Sequence, residues 1–160
     1  GNMWNAVEIG RAGEGDVPEL SDLLGLLFGQ EAEFTPDCEA QKRGLRRIIS
    51  DPSLGFILAG KMNGRIVAMV NVLFTVSTAL GERVALLEDM VVVEAYRGTG
   101  LGSALLERAM DEARESGCRR ITLLTDADNE KGQRFYRRHG FVRSTMVPFR
   151  KHLKTTDTET

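Results

Sequence analysis

Cysteine is scarce in this chain. Its two cysteines, Cys38 and Cys118, stand eighty positions apart among 160 residues, too few to staple a small secreted scaffold and without the neighbours that a zinc site needs. Long apolar runs are missing as well: the longest, Ile66 to Val70, is far short of the roughly twenty residues that cross a bilayer. The opening Gly1-Asn2-Met3-Trp4 has neither the basic region nor the apolar core of a secretion signal, and Gly1-Asn2 reads as an expression scar. No internal repeat and no long linker interrupts the chain. An excess of one charge is absent too, with 21 Lys and Arg against 23 Asp and Glu. What is present, 42% hydrophobic residues beside 28% charged ones, predicts one soluble cytoplasmic domain with a real core over residues 3–154, then a frayed tail at 155–160.

The balanced total hides two opposite segments. Residues 1–40 carry one basic side chain, Arg11, against nine acidic ones, whereas residues 119–154 carry ten basic side chains against Asp126, Asp128 and Glu130. A basic segment suits nucleic acid or a small phosphorylated ligand, and an acidic one suits a cation; plain solvation remains open for both. Nucleic acid ranks low because no known reading motif accompanies the charge.

Punctuation along the chain gives the order of elements. Val7 to Ala12 alternates weakly as a first strand. Asp16, Pro18 and Glu19 read as cap, first turn and capping box of a helix with the apolar stripe Leu20, Leu23, Leu24 and Leu27. A second helix spans Asp37 to Ser50 and stops before Pro52. Gly55 to Met62 and Arg65 to Thr78 form a hairpin about Asn63-Gly64, and Val84 to Val93 is a further strand. Gly100 to Ser116 is an amphipathic helix closed by Gly117, Arg120 to Thr125 a strand, Glu130 to His139 a short helix, and Phe141 to Leu153 one or two last strands around Pro148. This order predicts an α/β (mixed α+β) fold: a central, mostly antiparallel mixed sheet of six to seven strands with helices on both faces.

The most informative stretch runs from Val91 through Arg97-Gly98-Thr99-Gly100-Leu101-Gly102, leaving a strand, turning on glycines and entering a helix. Such a turn leaves backbone N–H groups at a helix start, where the dipole favours an anion, and Arg97 adds a charge-assisted contact. Spacing narrows the ligand. A dinucleotide fingerprint needs a glycine where Ser103 stands, and the Gly-Lys-Ser/Thr of a nucleotide P-loop is absent. A glycine-rich connector without ligand is the plain alternative.

These residues resemble the GNAT acetyltransferase superfamily. Arg97 to Gly102 is similar to its Arg/Gln-x-x-Gly-x-Gly/Ala loop, and Asn129-Glu-Lys-Gly-Gln-Arg-Phe-Tyr-Arg-Arg-His-Gly-Phe141 resembles its Asn-x-x-Ala-x-x-Phe-Tyr-x-x-x-Gly-Phe segment, with Gly132 in place of the usual alanine. The resemblance spans about Glu8 to Leu153 and is strongest from Leu87 to Phe141. It implies acetyl-coenzyme A as cosubstrate, no metal, and transfer of the acetyl group directly to a primary amine of a small molecule or peptide. It further implies that backbone groups of Met90, Val91 and Val92 pair with the pantetheine arm, with an N–H near Met90 facing the thioester oxygen. The N–H groups of Gly98, Thr99, Gly100, Leu101, Gly102 and Ser103 would hold the pyrophosphate. Asn129 belongs to the coenzyme-binding segment, and one or two of Lys131, Arg134, Arg137 and Arg138, Arg138 foremost, suit the 3′-phosphate.

The same resemblance makes Tyr136 the general acid for the departing thiolate; a core tyrosine beside Phe135 is the bland alternative. Glu88 is the candidate base. In Leu87-Glu88-Asp89-Met90 two carboxylates interrupt an apolar strand, and strand alternation predicts that they point to opposite faces. A salt bridge to a neighbouring Arg would explain Glu88 equally well. His139 fits a helix cap, Cys118 a packing residue and Cys38 a loop thiol. The acidic stretch Gln30 to Glu39 would favour a cationic amine, and the terminal strands could pair between subunits of a homodimer. A different class of function, a non-catalytic acyl-coenzyme A sensor, needs the glycine loop but neither Tyr136 nor Glu88.

Overall fold

Helix and strand signals are strongest where apolar spacing is regular, and there the elements form. The structure is a computed structural model that describes residues 6–28 and 37–155. The proposed scar at Gly1-Asn2, most of the acidic stretch from Gln30, and the tail after Thr155 lie outside the described residues. Two compact units divide at Leu124 and Thr125.

In the first unit, the chain runs through strand β1 (Glu8–Arg11), helices α1 (Val17–Phe28) and α2 (Cys38–Ser50), strands β2 (Gly55–Met62), β3 (Arg65–Ser77) and β4 (Glu82–Val92), helix α3 (Leu101–Glu115) and strand β5 (Ile121–Leu123). The strands lie side by side in chain order, antiparallel from β1 to β4, with β5 parallel to β4. Asn63 and Gly64 both take positive φ, 51° and 79°, the geometry of the tight turn that this pair favours between β2 and β3.

Side-chain alternation sorts the sheet into two apolar faces. Ile57, Ala59, Met69 and Val91 pack with Val17, Leu20, Leu23, Leu24 and Leu45 of α1 and α2. The intervening residues Leu58, Ala68, Val70 and Val72 are equally buried on the other side, where α3 brings Leu101, Leu105, Leu106 and Ala109, each 0% exposed. Each leucine so buried contributes about 1.5–3 kcal/mol. The start of α1 departs from the expected capping box. Asp16 ends a short 3-10 turn, accepts from the Gly13 N–H and pairs with Lys61 at 2.8 Å, while Glu19 accepts from the Ile66 N–H at 3.0 Å and so ties α1 to β3. Asp37 caps α2 through the Ala40 N–H at 3.1 Å, and Cys38 opens that helix rather than lying in a loop.

The sheet has five strands among the described residues, not six to seven. The missing strands are those expected between Phe141 and Leu153. Pro148 has no N–H to give a ladder, the segment joins no strand, and Val142, Met146, Val147 and Phe149 are 73–99% exposed. Among its described residues the second unit contains one regular element, helix α4 (Glu130–Arg138).

Candidate active site

Two irregularities of β4 shape the site. The first is a bulge. Asn71 of β3 lies opposite Asp89, but the next residue, Val72, lies opposite Leu87, so Glu88 is an extra residue without a partner across the ladder. Leu87 and Asp89, which regular alternation would put on one face, therefore lie on opposite faces. The bulge interrupts the period of two on which the alternation argument for Glu88 and Asp89 rests. Glu88 is exposed; Asp89 is half-buried on the face of Met69 and Val91 and accepts a hydrogen bond from Asn71 Nδ2 at 3.1 Å. Burial raises the Asp89 pKa above its ordinary value, the Asn71 hydrogen bond opposes that rise, and the Glu88 charge adds to it.

The second irregularity is a split. Parallel pairing with β5 covers only Ala85, Leu86 and Leu87, so beyond Leu87 β4 runs on without a neighbour on that side among the described residues. The Val93 N–H bonds to the Val67 carbonyl at 2.9 Å, and since backbone bonding alternates along an antiparallel ladder, Val91 and Asp89 bond toward β3 while Met90 and Val92 turn their backbone groups toward the gap. Of the three residues expected to meet a pantetheine arm, Met90 and Val92 thus present backbone there; Val91 is bonded to β3 and 5% exposed.

The gap leads to the glycine turn. Arg97 Nε donates to the Val92 carbonyl at 2.9 Å and fixes the strand end to the loop. Gly98 and Gly100 take φ of 76° and 97°, a region that residues with a Cβ rarely adopt, and Gly100 caps α3 without a side chain. Thr99 Oγ1 donates to the Tyr96 carbonyl at 2.5 Å, which holds the turn closed. No acidic residue stands in the first turn of α3, so the N–H groups and positive dipole end around Leu101, Gly102 and Ser103 meet no carboxylate of that turn. Leu101 itself is 0% exposed and anchors the helix start in the core. The turn has the backbone geometry to hold an anion at the end of a strand with outward-facing backbone.

In the second unit, Asn129 caps α4 by accepting from the Gly132 N–H at 3.0 Å and donates to Thr125 Oγ1 at 3.1 Å. Gly132 now has a reason: a Cβ there would lie 2.4 Å from Asn129 Nδ2. Tyr136 packs edge-on between Phe135 and Phe141, with centroids 5.3 and 5.7 Å away, and burial raises its phenol pKa above the ordinary 10. It stays protonated throughout the physiological range and keeps its O–H to donate there. Arg138 is exposed, its guanidinium 5.8 Å from the Phe135 ring. His139 follows the helix as its C-cap. Among the described residues no group of three His, Cys, Asp or Glu could hold a metal ion, and no helix is long and apolar enough to cross a membrane.

Residues 20–141 match the acetyltransferase (GNAT) family. The chain belongs to that family. The aminoalkylphosphonate N-acetyltransferase of Salmonella typhimurium is 30% identical over 137 residues, covering 86% of each protein. An uncharacterised N-acetyltransferase of Bacillus subtilis, YhfO, is 29% identical over 74% of this chain and 81% of its own. Among solved structures, an acetyltransferase of Trypanosoma brucei superposes with a TM-score of 0.72 at 27% identity, over 92% of this chain and 99% of that one. The acetyltransferase described here is accordingly an acetyl-coenzyme A dependent acyltransferase acting on an amine. Asn71 was missed by sequence reasoning. A lone amide inside the apolar run Ala68-Met-Val-Asn-Val-Leu-Phe74 was the available sign, since a buried polar group needs a partner.

Proposed function

We propose that the enzyme transfers the acetyl group of acetyl-coenzyme A directly to a primary amine of a small molecule or peptide. The observation that carries this reading is the continuity of the β4 gap with the anion cradle. A pantetheine arm is an amide-bearing extended chain ending in a pyrophosphate, and it finds outward backbone groups at Met90 and Val92 and then the acid-free start of α3. The Met90 N–H suits the developing oxyanion. Proton removal from the amine falls to the carboxyls of the bulge, and Tyr136 donates a hydrogen bond to the departing thiolate. Arg97 and Arg138 supply cationic partners for the coenzyme phosphates, and Asn129 shapes the start of α4.

The relative named for an aminoalkylphosphonate makes an amine carrying an anionic group one acceptor to try first; glucosamine phosphates, polyamines and peptide amino termini complete the panel. The test is release of free thiol from acetyl-coenzyme A with each amine, together with a product mass increased by one acetyl group. Thiol release with no acetylated product, or labelling of the protein itself before transfer, would refute direct transfer.

A further inference from the structure

We propose that Asn71 and Asp89 form a proton-holding pair in which Asp89 takes the proton that the acceptor amine loses and Asn71 positions and stabilises its carboxyl. The proposal rests on the transferase reading above and assigns the base within it. The bulge sets the geometry: by placing Glu88 out of register it brings Asp89 directly opposite Asn71. Glu88 is left exposed and outside the ladder, whereas Asp89 meets the buried amide and is itself only half-buried.

The second observation is an orphan. Asn71 is 6% exposed, its Nδ2 donates to Asp89 Oδ2, and its Oδ1 is buried without a hydrogen-bond partner among the described residues. An acceptor left dry costs about 1–3 kcal/mol elsewhere in proteins, so such a group calls for a reason. Protonation of Asp89 supplies one. A carboxyl group has an O–H to donate, and a half-turn of the Asn71 amide presents Oδ1 to it in the place of Nδ2, which moves to the position without a partner and so sets a cost on the protonated state. The same side chain thus serves both protonation states: N–H to the carboxylate, C=O to the acid.

Proton bookkeeping is complete. The ammonium N–H bond breaks as the Asp89 O–H bond forms, the freed nitrogen lone pair attacks the thioester carbon, and the C–S bond breaks as the amide forms. The second nitrogen proton goes by way of solvent to the departing thiolate to give the free thiol, and Asp89 returns its proton to solvent after product leaves. Burial already disfavours the carboxylate, which brings its proton affinity closer to that of an amine than an exposed aspartate would be. Among the described charged groups, Glu88 is the one whose field acts on Asp89, and it pushes in the same direction.

The decisive experiment follows the Asp89 side-chain carboxyl by carbon NMR against pH in the intact, coenzyme-free protein, and the acidic limb of kcat/KM in parallel. Asn71→Leu should move the Asp89 midpoint upward by about one unit, the difference between losing a charge-assisted hydrogen bond to the carboxylate and a neutral one to the acid. Glu88→Gln, at an exposed site that folding tolerates, should move it downward because a neighbouring negative charge is gone. The acidic limb should follow both shifts, and Asp89→Asn should abolish the limb with a loss of about a hundredfold or more in kcat/KM. An Asp89 midpoint unmoved by both substitutions overturns the pair. A limb that survives Asp89→Asn and disappears in Glu88→Gln overturns Asp89 as base. If no amine yields thiol release, the transferase reading and the base role fall together, while the carboxyl titration still decides whether the pair exists.

Discussion

Replacing Tyr136 by Phe isolates one oxygen atom, and its consequence can be worked out in advance. The ring contacts survive, since the substitution keeps the aromatic ring that packs edge-to-face with Phe135 and Phe141 at centroid distances of 5.3 and 5.7 Å. Stability should therefore change by less than about 1 kcal/mol, within the net worth of a single hydrogen bond. The catalytic loss is bounded by acidity. A free thiol has a pKa near 8.5 and a phenol near 10, so complete proton transfer from phenol to thiolate runs uphill by about 2 kcal/mol, and burial of Tyr136 steepens it. In its proposed role Tyr136 would give the sulfur a hydrogen bond that strengthens as charge builds, worth about 1.5–3 kcal/mol, or roughly ten- to a hundredfold in kcat.

The assay is initial-rate thiol release with acetyl-coenzyme A and amine varied independently. The fall should appear in kcat with KM for the coenzyme nearly unchanged, because the bond forms only as the thiolate leaves. The sign of the pH effect follows as well: with its pKa raised, the phenol loses its proton only above its ordinary 10, so no alkaline limb below that value should belong to it and Tyr136→Phe should leave any such limb in place. An unchanged kcat, or a loss carried wholly by KM, would remove Tyr136 from the chemistry and leave it a packing residue.

Five further substitutions test the frame around the site. Gly55→Ala would put a Cβ 2.1 Å from the Val72 carbonyl oxygen, so it should destabilise by about 3 kcal/mol or more in denaturant unfolding, against about 1–2 kcal/mol for Gly64→Ala, whose positive φ is strained but whose surroundings are open. Gly132→Ala must turn Asn129 off the helix start, losing a cap of about 1 kcal/mol and gaining a similar helix propensity; stability should barely move while amide exchange at residue 132 accelerates. Gly98→Ala meets nothing within 4 Å but is strained by its positive φ, so it should cost about 1–2 kcal/mol of stability, as at Gly64, and raise KM for acetyl-coenzyme A; a fall in kcat alone would argue against a phosphate cradle. Lys61→Met should remove a stabilisation that is present above about pH 4 and fades as pH falls. Burial works against the Asp16 carboxylate, but the Lys61 ammonium and the Gly13 N–H outweigh it and hold its pKa below the ordinary 3.8, and acid unfolding of the variant should show a slightly weaker pH dependence.

Much of the fold was legible because its signals are local. Asn63-Gly64 demands a positive-φ turn, Asp37 offers a cap three residues before a free N–H, and Leu20, Leu23 and Leu24 fall on one helical stripe whatever lies beyond them. The last strands were misjudged because a strand exists only beside another strand. Apolar side chains at Val142, Met146, Val147 and Phe149 satisfy the pattern of one, but Pro148 interrupts the donors and no ladder receives them among the described residues.

The candidate site divides along the same line. The glycine turn can be read from the chain because positive φ at Gly98 and Gly100 is a property of single residues. The bulge cannot, since two residues against one is a relation between β4 and β3, and a period of two counted along one strand is blind to it. That single slip decides which carboxylate of Glu88-Asp89 meets Asn71. It also explains why the polar interruption of an apolar strand was visible in the sequence while its partner was not: Asn71 and Asp89 are eighteen residues apart along the chain and adjacent only through the register of the sheet.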